Sequence, residues 1–379
     1  MKILVAPDSF KESLSAIKVS NAITKGILNI IPDAKIIQVP VSDGGEGLLE
    51  VLLNELGGKR VSRTVKDPLN RDIQAEYGIL NDNSTAIIEI AQASGLELLR
   101  AEERNPELTS SFGSGQLIKD ALDKGCRKII IGIGGSATND GGMGMIKALG
   151  GKFFNEKLEE LGDGGKALGE LNKIDISEFD SRIRNCKITV ACDVTNPLTG
   201  QNGASLVYGR QKGGTKEQLQ RLDKNLKNYA SVIHNDLNIE VETKMGAGAA
   251  GGIGAGLMAF FNAELKRGID LVIDMLEIKK HLKNVNLLIT GEGKIDRQTL
   301  HGKAIIGLAS LARENMVPVI AITGKKEGNI DEIYTKGITA VFSIVNKPLS
   351  LREAIVNAEN LIESCVENIF RIIKLHENG

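Results

Sequence analysis

Several short apolar runs in this chain end in an acidic residue. Asp8 follows Ile3–Ala6, and Asp43 follows Ile36–Val41. Asp140 comes after Lys128–Ile133 and a short polar loop, Asp193 follows Ile188–Cys192, and Glu292 and Asp296 follow Leu287–Thr290. Carboxylates so placed have two chemical uses. One or two of them satisfy Mg²⁺ together with phosphate oxygens and water, and one set against a hydroxyl can take its proton. Taken alone, each also reads as a helix cap or turn former. Glycine and hydroxyl residues accompany nearly every one, which favours chemistry over capping for the set.

The companions form three loops. Gly134-Gly135-Ser136-Ala137-Thr138-Asn139-Asp140-Gly141-Gly142 gathers backbone N–H groups, hydroxyls and an acid just before an expected helix. Backbone N–H groups and a helix N-terminus favour anions, so such a loop suits phosphate. Ser42-Asp43-Gly44-Gly45-Glu46-Gly47 is a second, and Thr290-Gly291-Glu292-Gly293-Lys294 reads as a third glycine turn leaving a strand. Lys11, Lys212, Lys294, Lys303 and Lys325 lie in or near these loops. Phosphoryl transfer wants cations there, because its catalysis is mostly positioning and charge stabilisation. Lysine is also a common surface residue.

The elements that must carry these groups read as alternating strands and helices. Lys2–Ala6 and Lys35–Val41 are strands, each followed by a helix, near Ala16–Ile31 and Glu46–Leu56. That is the pattern of a parallel sheet. Arg60–Lys66, Arg71–Leu80 and Thr85–Ala91, joined by turn residues, predict an antiparallel meander and the entry to a second domain. A helix near Ser114–Asp123 precedes strand Lys128–Ile133, and Lys187–Ala191 is a further strand. Alternation returns with strand Asn286–Thr290, helix Lys303–Glu314, strands Val317–Ile322 and Ala340–Val345, and one long terminal helix, Leu351–Lys374. The expectation is an α/β fold. A Rossmann-like parallel-sheet domain is formed by both chain ends, residues 1–60 and 283–379, with a second α/β domain, 61–282, inserted and the active site in the cleft between them.

Composition excludes several classes. With 379 residues the chain suits two domains, and a formal net charge of −1 offers no basic surplus for nucleic acid. No apolar stretch is long enough to span a membrane, and the run at MKILVAPDSF is too short for a signal peptide. Cys126, Cys186, Cys192 and Cys365 match no metal or redox spacing and read as small core residues of a reducing compartment, the cytoplasm. No P-loop or protein-kinase signature is present. Of the four histidines only His301, within Gln298–Lys303, is placed for function. Gly132-Ile133-Gly134-Gly135-Ser136-Ala137 fits a dinucleotide fingerprint, with Glu156 near the ribose-binding distance, but Thr138–Gly141 delays the helix that should open there. Gly246–Gly251 also fits, without a strong strand before it; close helix packing or a hinge explains it.

Taken together, several segments resemble the type 1 glycerate kinases. They are Ala6–Lys11, Pro40–Gly47, Ser111–Gly113, Gly132–Gly142, Ala191–Leu198, Tyr208–Gly213, Gly246–Asn262 and Thr290–Lys303, in one order over most of the chain. The resemblance implies phosphorylation of D-glycerate by ATP with Mg²⁺, giving 2-phosphoglycerate, on a Rossmann-like domain carrying an insertion. On chemical type and strand-end position, Lys11 and nearby amides would meet the glycerate carboxylate. Asp193 or Asp296 would orient the hydroxyl and accept its proton, with Asp8 and Asp43 as alternates for that task or for Mg²⁺. Asp43 and Asp140 are the expected metal ligands. Gly134, Gly135, Ser136, Thr138 and Asn139, with Lys212, Glu292 and Lys294, are expected to hold the nucleotide's phosphates. The rivals are an NAD-dependent hydroxy-acid dehydrogenase and a non-catalytic small-acid-binding protein. No membrane partner is expected, and a homo-oligomer stays open.

Overall fold

In the computed structural model, residues 1–297, 299–301 and 303–377 are described. The chain falls into two units: Met1–Asp43, Glu50–Glu55 and Arg267–Gly379 form one, and Gly44–Leu49 and Leu56–Lys266 the other.

The apolar runs of the first unit stack as a parallel sheet of five strands. Their order is Ala340–Ser343, Val319–Lys326, Leu287–Ile295, Lys2–Val5 and Lys35–Gln38. Ile3, Leu4 and Val5 are fully buried, which is why this strand reads as an unbroken apolar run rather than an alternating one. From Lys2–Val5 the chain winds outward one way to Lys35–Gln38, and from Leu287–Ile295 it winds outward the other way. The reversal lies between the two central strands, and ligands of open parallel sheets sit beyond the carboxyl ends at such a point.

Helix Ala16–Ile30 buries Val19, Ile23 and Ile27 in the same core as Ile362, Val366 and Phe370 of helix Ala358–Glu377. Gly26 makes the approach close, since a Cβ there would lie 2.8 Å from the Glu363 carbonyl oxygen.

Three expectations change here. The terminal helix is two helices, Leu351–Val356 and Ala358–Glu377. Asn357 ends the first, its side-chain amide donating to the Glu353 carbonyl at 2.8 Å. Second, Thr290–Lys294 is no loop: it continues strand Leu287–Ile295 in register with Val319–Lys326. Its glycines serve close packing, because a Cβ on Gly291 would meet the Ile322 carbonyl at 2.6 Å. Third, the border expected near 283 lies at Arg267, since helix Gly268–Met275 packs on helix Ala304–Glu314 of the first unit.

The second unit has a six-stranded sheet in the order Glu264–Lys266, Lys187–Ala191, Lys128–Gly132, Thr85–Glu89, Asp72–Leu80 and Gly58–Lys66. The first four strands pair in parallel and the last three form the antiparallel meander. Strand Glu264–Lys266 left no signal, being three residues with a charge at each end. Helices Phe112–Asp123, Lys216–Leu237 and Ala249–Phe261 contribute to a single large core. Among the described residues no helix is long and apolar enough to cross a membrane.

Candidate active site

The two central strands of the first unit deliver the acids. Asp8 follows Lys2–Val5, and its N–H donates to the Gly291 carbonyl at 2.8 Å, which ties the two strand ends together. Asp8 is buried, and its Oδ1 accepts from the Ser9 N–H at 2.6 Å. Burial first, and the nearby Asp43 carboxylate second, raise its pKa to about 8. Lys11 Nζ lies 3.2 Å from Asp43 Oδ2. Burial works against the Lys11 ammonium, but the attraction and hydrogen bond of Asp43 prevail and hold its pKa above the ordinary value. Glu292 is buried within its strand. Its carboxylate accepts from Thr299 Oγ1 at 2.6 Å and from Lys303 Nζ at 3.2 Å. Burial raises the Glu292 pKa, the Lys303 charge opposing it. Asp296 Oδ2 pairs with Lys294 Nζ at 3.0 Å.

Phe10 to Leu14 form a tight loop over these strand ends. The Phe10 N–H donates to the Leu14 carbonyl at 2.9 Å, and Glu12 adopts φ 65°. Gly293 lets the loop approach, since a Cβ there would lie 3.3 Å from Phe10 Cα. A cavity of about 990 Å³ opens here, with Asp8, Lys11, Glu292 and Lys303 in its lining.

In the second unit, strand Lys128–Gly132 leads into the glycine loop, and helix Met143–Ala148 opens only after it. The dinucleotide fingerprint therefore lacks its helix, and Glu156 follows Lys152–Phe154, which pairs with Lys173–Asp175 outside the main sheet. Asp140 is fully buried. Its Oδ2 accepts from the Ser111 N–H at 2.8 Å, Ser111 Oγ at 2.7 Å and the Gly144 N–H at 3.2 Å, and its Oδ1 from the Gly142 N–H at 3.1 Å. Burial raises its pKa and those hydrogen bonds oppose the rise. With its lone pairs so used, Asp140 holds the helix start, and the metal role expected for it gives way to capping.

Lys212 is also buried, donating to Ser136 Oγ at 2.8 Å and to the Thr138 carbonyl at 2.7 Å. Burial lowers its pKa to about 7, with Asp140 working the other way. Thr138 and Asn139 are fully buried, Asn139 donating to Ser205 Oγ at 2.9 Å, while Gly134 and Gly135 are exposed at the tip. The Gly246–Asn262 segment supports this loop from behind. Gly251, at φ 71°, accepts from the Gly141 N–H at 3.1 Å, and a Cβ on it would lie 2.0 Å from the Thr138 carbonyl oxygen. Its glycines serve close packing.

Thus Asp8, Lys11, Asp43, Glu292, Lys294, Asp296 and Lys303 gather in the first unit. The Gly134–Asp140 loop and Lys212 gather in the second, where Asp193 stands exposed after strand Lys187–Ala191. Gln298, Gly302 and the His301 side chain lie outside the described residues. Sequence reasoning passed over Glu89, a buried acid at the end of strand Thr85–Glu89 that accepts from the Leu49 N–H at 3.1 Å; the expected strand ran on to Ala91, so Glu89 did not show as a strand-end acid. It also passed over Thr299, which orients Glu292. Among the described residues no cluster of three or more His, Cys, Asp or Glu forms a ready metal site. The donors present are hard carboxylates, which fit a Mg²⁺ bound through one or two acids and the phosphates it accompanies.

Acids and ammonium groups at the switch point of a parallel sheet, beside a large cavity, are the parts of a small-molecule kinase. Comparison with known proteins agrees. The model of the glycerate kinase family matches residues 3–374. The chain is 49% identical over 369 residues to a protein of Escherichia coli K12 named glycerate 2-kinase, covering 97% of each. It is 46% identical to the Bacillus subtilis glycerate kinase, covering 99% of this chain and 98% of the other. A crystal structure of a putative glycerate kinase 2 from Salmonella typhimurium LT2 superposes with a TM-score of 0.91 at 46% identity, covering both chains in full. The chain belongs to the glycerate kinase family.

Proposed function

We propose that this protein transfers the γ-phosphoryl group of ATP to the 2-hydroxyl of D-glycerate, giving 2-phosphoglycerate, with Mg²⁺ as the accompanying ion. The observation that carries the reading is the Asp8–Lys11–Asp43–Glu292–Lys303 group at the switch point. A small anionic acceptor needs a cation for its carboxylate, and Lys11 supplies one from the loop that follows Asp8. Its hydroxyl needs a base, and Asp8 has the position and a proton affinity near working pH, where general bases are most effective. Asp43 and Glu292 are the carboxylates for Mg²⁺, which when bound neutralises developing charge on the phosphates. Asp296, tethered by Lys294, and Asp193 take orienting roles. The exposed Gly134 and Gly135 amides offer an anion site that Lys212 shapes from beneath through Ser136. The relatives' names support the acceptor and, in the Escherichia coli case, the position phosphorylated.

The test is ADP release from Mg-ATP with D-glycerate, with the product read by phosphorus NMR. Glycerate-dependent release with 2-phosphoglycerate is the expected result. A 3-phosphoglycerate product would overturn the position, and no release from folded protein would overturn the reaction.

A further inference from the structure

The 990 Å³ cavity of the first unit is far larger than a three-carbon acid requires. It sits at the upper end of the roughly 300–1,000 Å³ range of small-molecule sites. Only one end carries the acids and Lys11. The rest of its wall is apolar, formed by Val345, Leu349, Leu351, Ala354 and Ile355 from the end of the sheet and the short helix after it. These side chains are incompletely covered, and Leu351 is 75% exposed. Apolar surface left open beside a polar rim marks a ligand face. Glycerate has no apolar surface to place there.

Between the two ends stand three ammonium groups. Lys294, Lys325 and Lys326 project from the carboxyl ends of strands Leu287–Ile295 and Val319–Lys326. Lys294 and Lys325 share Glu327, at 2.7 and 3.2 Å, and Lys294 also meets Asp296. Such exposed pairs are weak, so a polyanion displaces them readily. Lys326 Nζ has a long 3.4 Å contact with the Val341 carbonyl.

The geometry points to this cavity as the nucleoside triphosphate site, with the base on the Val345–Ile355 wall and the phosphates running across the three lysines toward Asp8 and Glu292. The inference rests on the kinase reading above and adds where the donor binds and how its base is read. The hydroxyls near the apolar wall are already engaged, Ser13 donating to the Ile355 carbonyl at 3.0 Å and Ser343 to the Gly324 carbonyl at 3.4 Å. The base is therefore held by shape and apolar contact. A pocket of that kind discriminates poorly between ligands that differ in polar substituents, so ATP, GTP and ITP are all donors, with kcat/KM within about tenfold to a hundredfold of one another.

Two substitutions test the placement. Ala354→Trp fills the wall, and Leu351→Glu sets a charge on it at an exposed position where folding is not at stake. MgADP binding by titration calorimetry reads the site without turnover, and steady-state kinetics read it with turnover. The expected result is MgADP affinity weakened about tenfold or more, KM for MgATP raised in proportion, and KM for D-glycerate within about twofold of wild type. Unchanged MgADP affinity in Leu351→Glu overturns the placement, whatever Ala354→Trp does to folding. A strict preference for ATP, beyond a thousandfold, overturns the apolar reading of the base. If wild type binds MgADP with the expected sensitivity yet releases no ADP with glycerate, the cavity stands and the proposed reaction fails.

Discussion

Replacing Asp8 by Asn removes one proton-binding site from the switch point while keeping its shape. The amide oxygen can still accept from the Ser9 N–H, now 2.6 Å from Oδ1. The wild-type carboxyl has its pKa raised from 3.8 to about 8, by burial and then by Asp43. Between those values the unfolded chain has released the proton and the folded chain has kept it. Wild-type stability therefore falls as pH rises through that window, and the loss is complete above about 8. Converted at ~1.4 kcal/mol per tenfold change in acidity, the whole loss is roughly 6 kcal/mol, an upper bound because the site relaxes and Asp43 shares the repulsion. A realised value of at least roughly 2 kcal/mol is expected at the effective dielectric of such sites. The assay is urea unfolding in metal-free buffer at pH 5 and pH 9, followed through the first transition. Asp8→Asn should gain on wild type by that amount between the two pH values, while its turnover falls by a hundredfold or more. A stability difference that stays constant from pH 5 to pH 9 would mean that Asp8 is not held protonated by its surroundings.

Lys212→Met frees Ser136 and leaves the Thr138 carbonyl without its donor, so kcat should fall about tenfold or more, with faster amide exchange across 134–140 and little change in KM for glycerate. Because Lys212 releases its proton near 7 when folded and near 10.5 when unfolded, wild type should gain stability over this variant as pH rises across that range. Gly251→Ala forces a side chain against the Thr138 carbonyl at positive φ and should cost about 2–4 kcal/mol in denaturant unfolding. Asp193→Asn and Asp296→Asn, as orienting residues, should each lower kcat by roughly tenfold, well short of the Asp8 effect, with melting curves unchanged.

Where acids leave strands was legible because strands of a buried parallel sheet are apolar on both faces, and their ends show as abrupt changes of composition. Ile3–Ala6 before Asp8 and Ile188–Cys192 before Asp193 needed no more than that. How deep each acid sits was not legible. Asp8 and Asp140 look alike as letters, each after an apolar run and beside hydroxyls. In the folded chain Asp140 is used up by the N–H groups of Ser111, Gly142 and Gly144, while the Asp8 carboxylate accepts from the N–H of its own neighbour Ser9. Of these donors Ser111 comes from 29 residues away, and no local pattern announces it.

Glycine carried the same ambiguity in a sharper form. It marks either a backbone that turns where other residues cannot or a place where a second backbone comes too close for a Cβ. Gly44 and Gly47 are of the first kind, both at φ 87°. Gly291 and Gly293 are of the second, and reading them as a turn cut strand Leu287–Ile295 short. The consequence is chemical as well as architectural. Because the strand continues, Glu292 is held by ladder pairing on a rigid element rather than on a loop, with Thr299 and Lys303 fixing its two oxygens. An acid meant to meet a cation in one geometry gains from that rigidity, so the close-packing glycines belong to the site as much as the carboxylate between them.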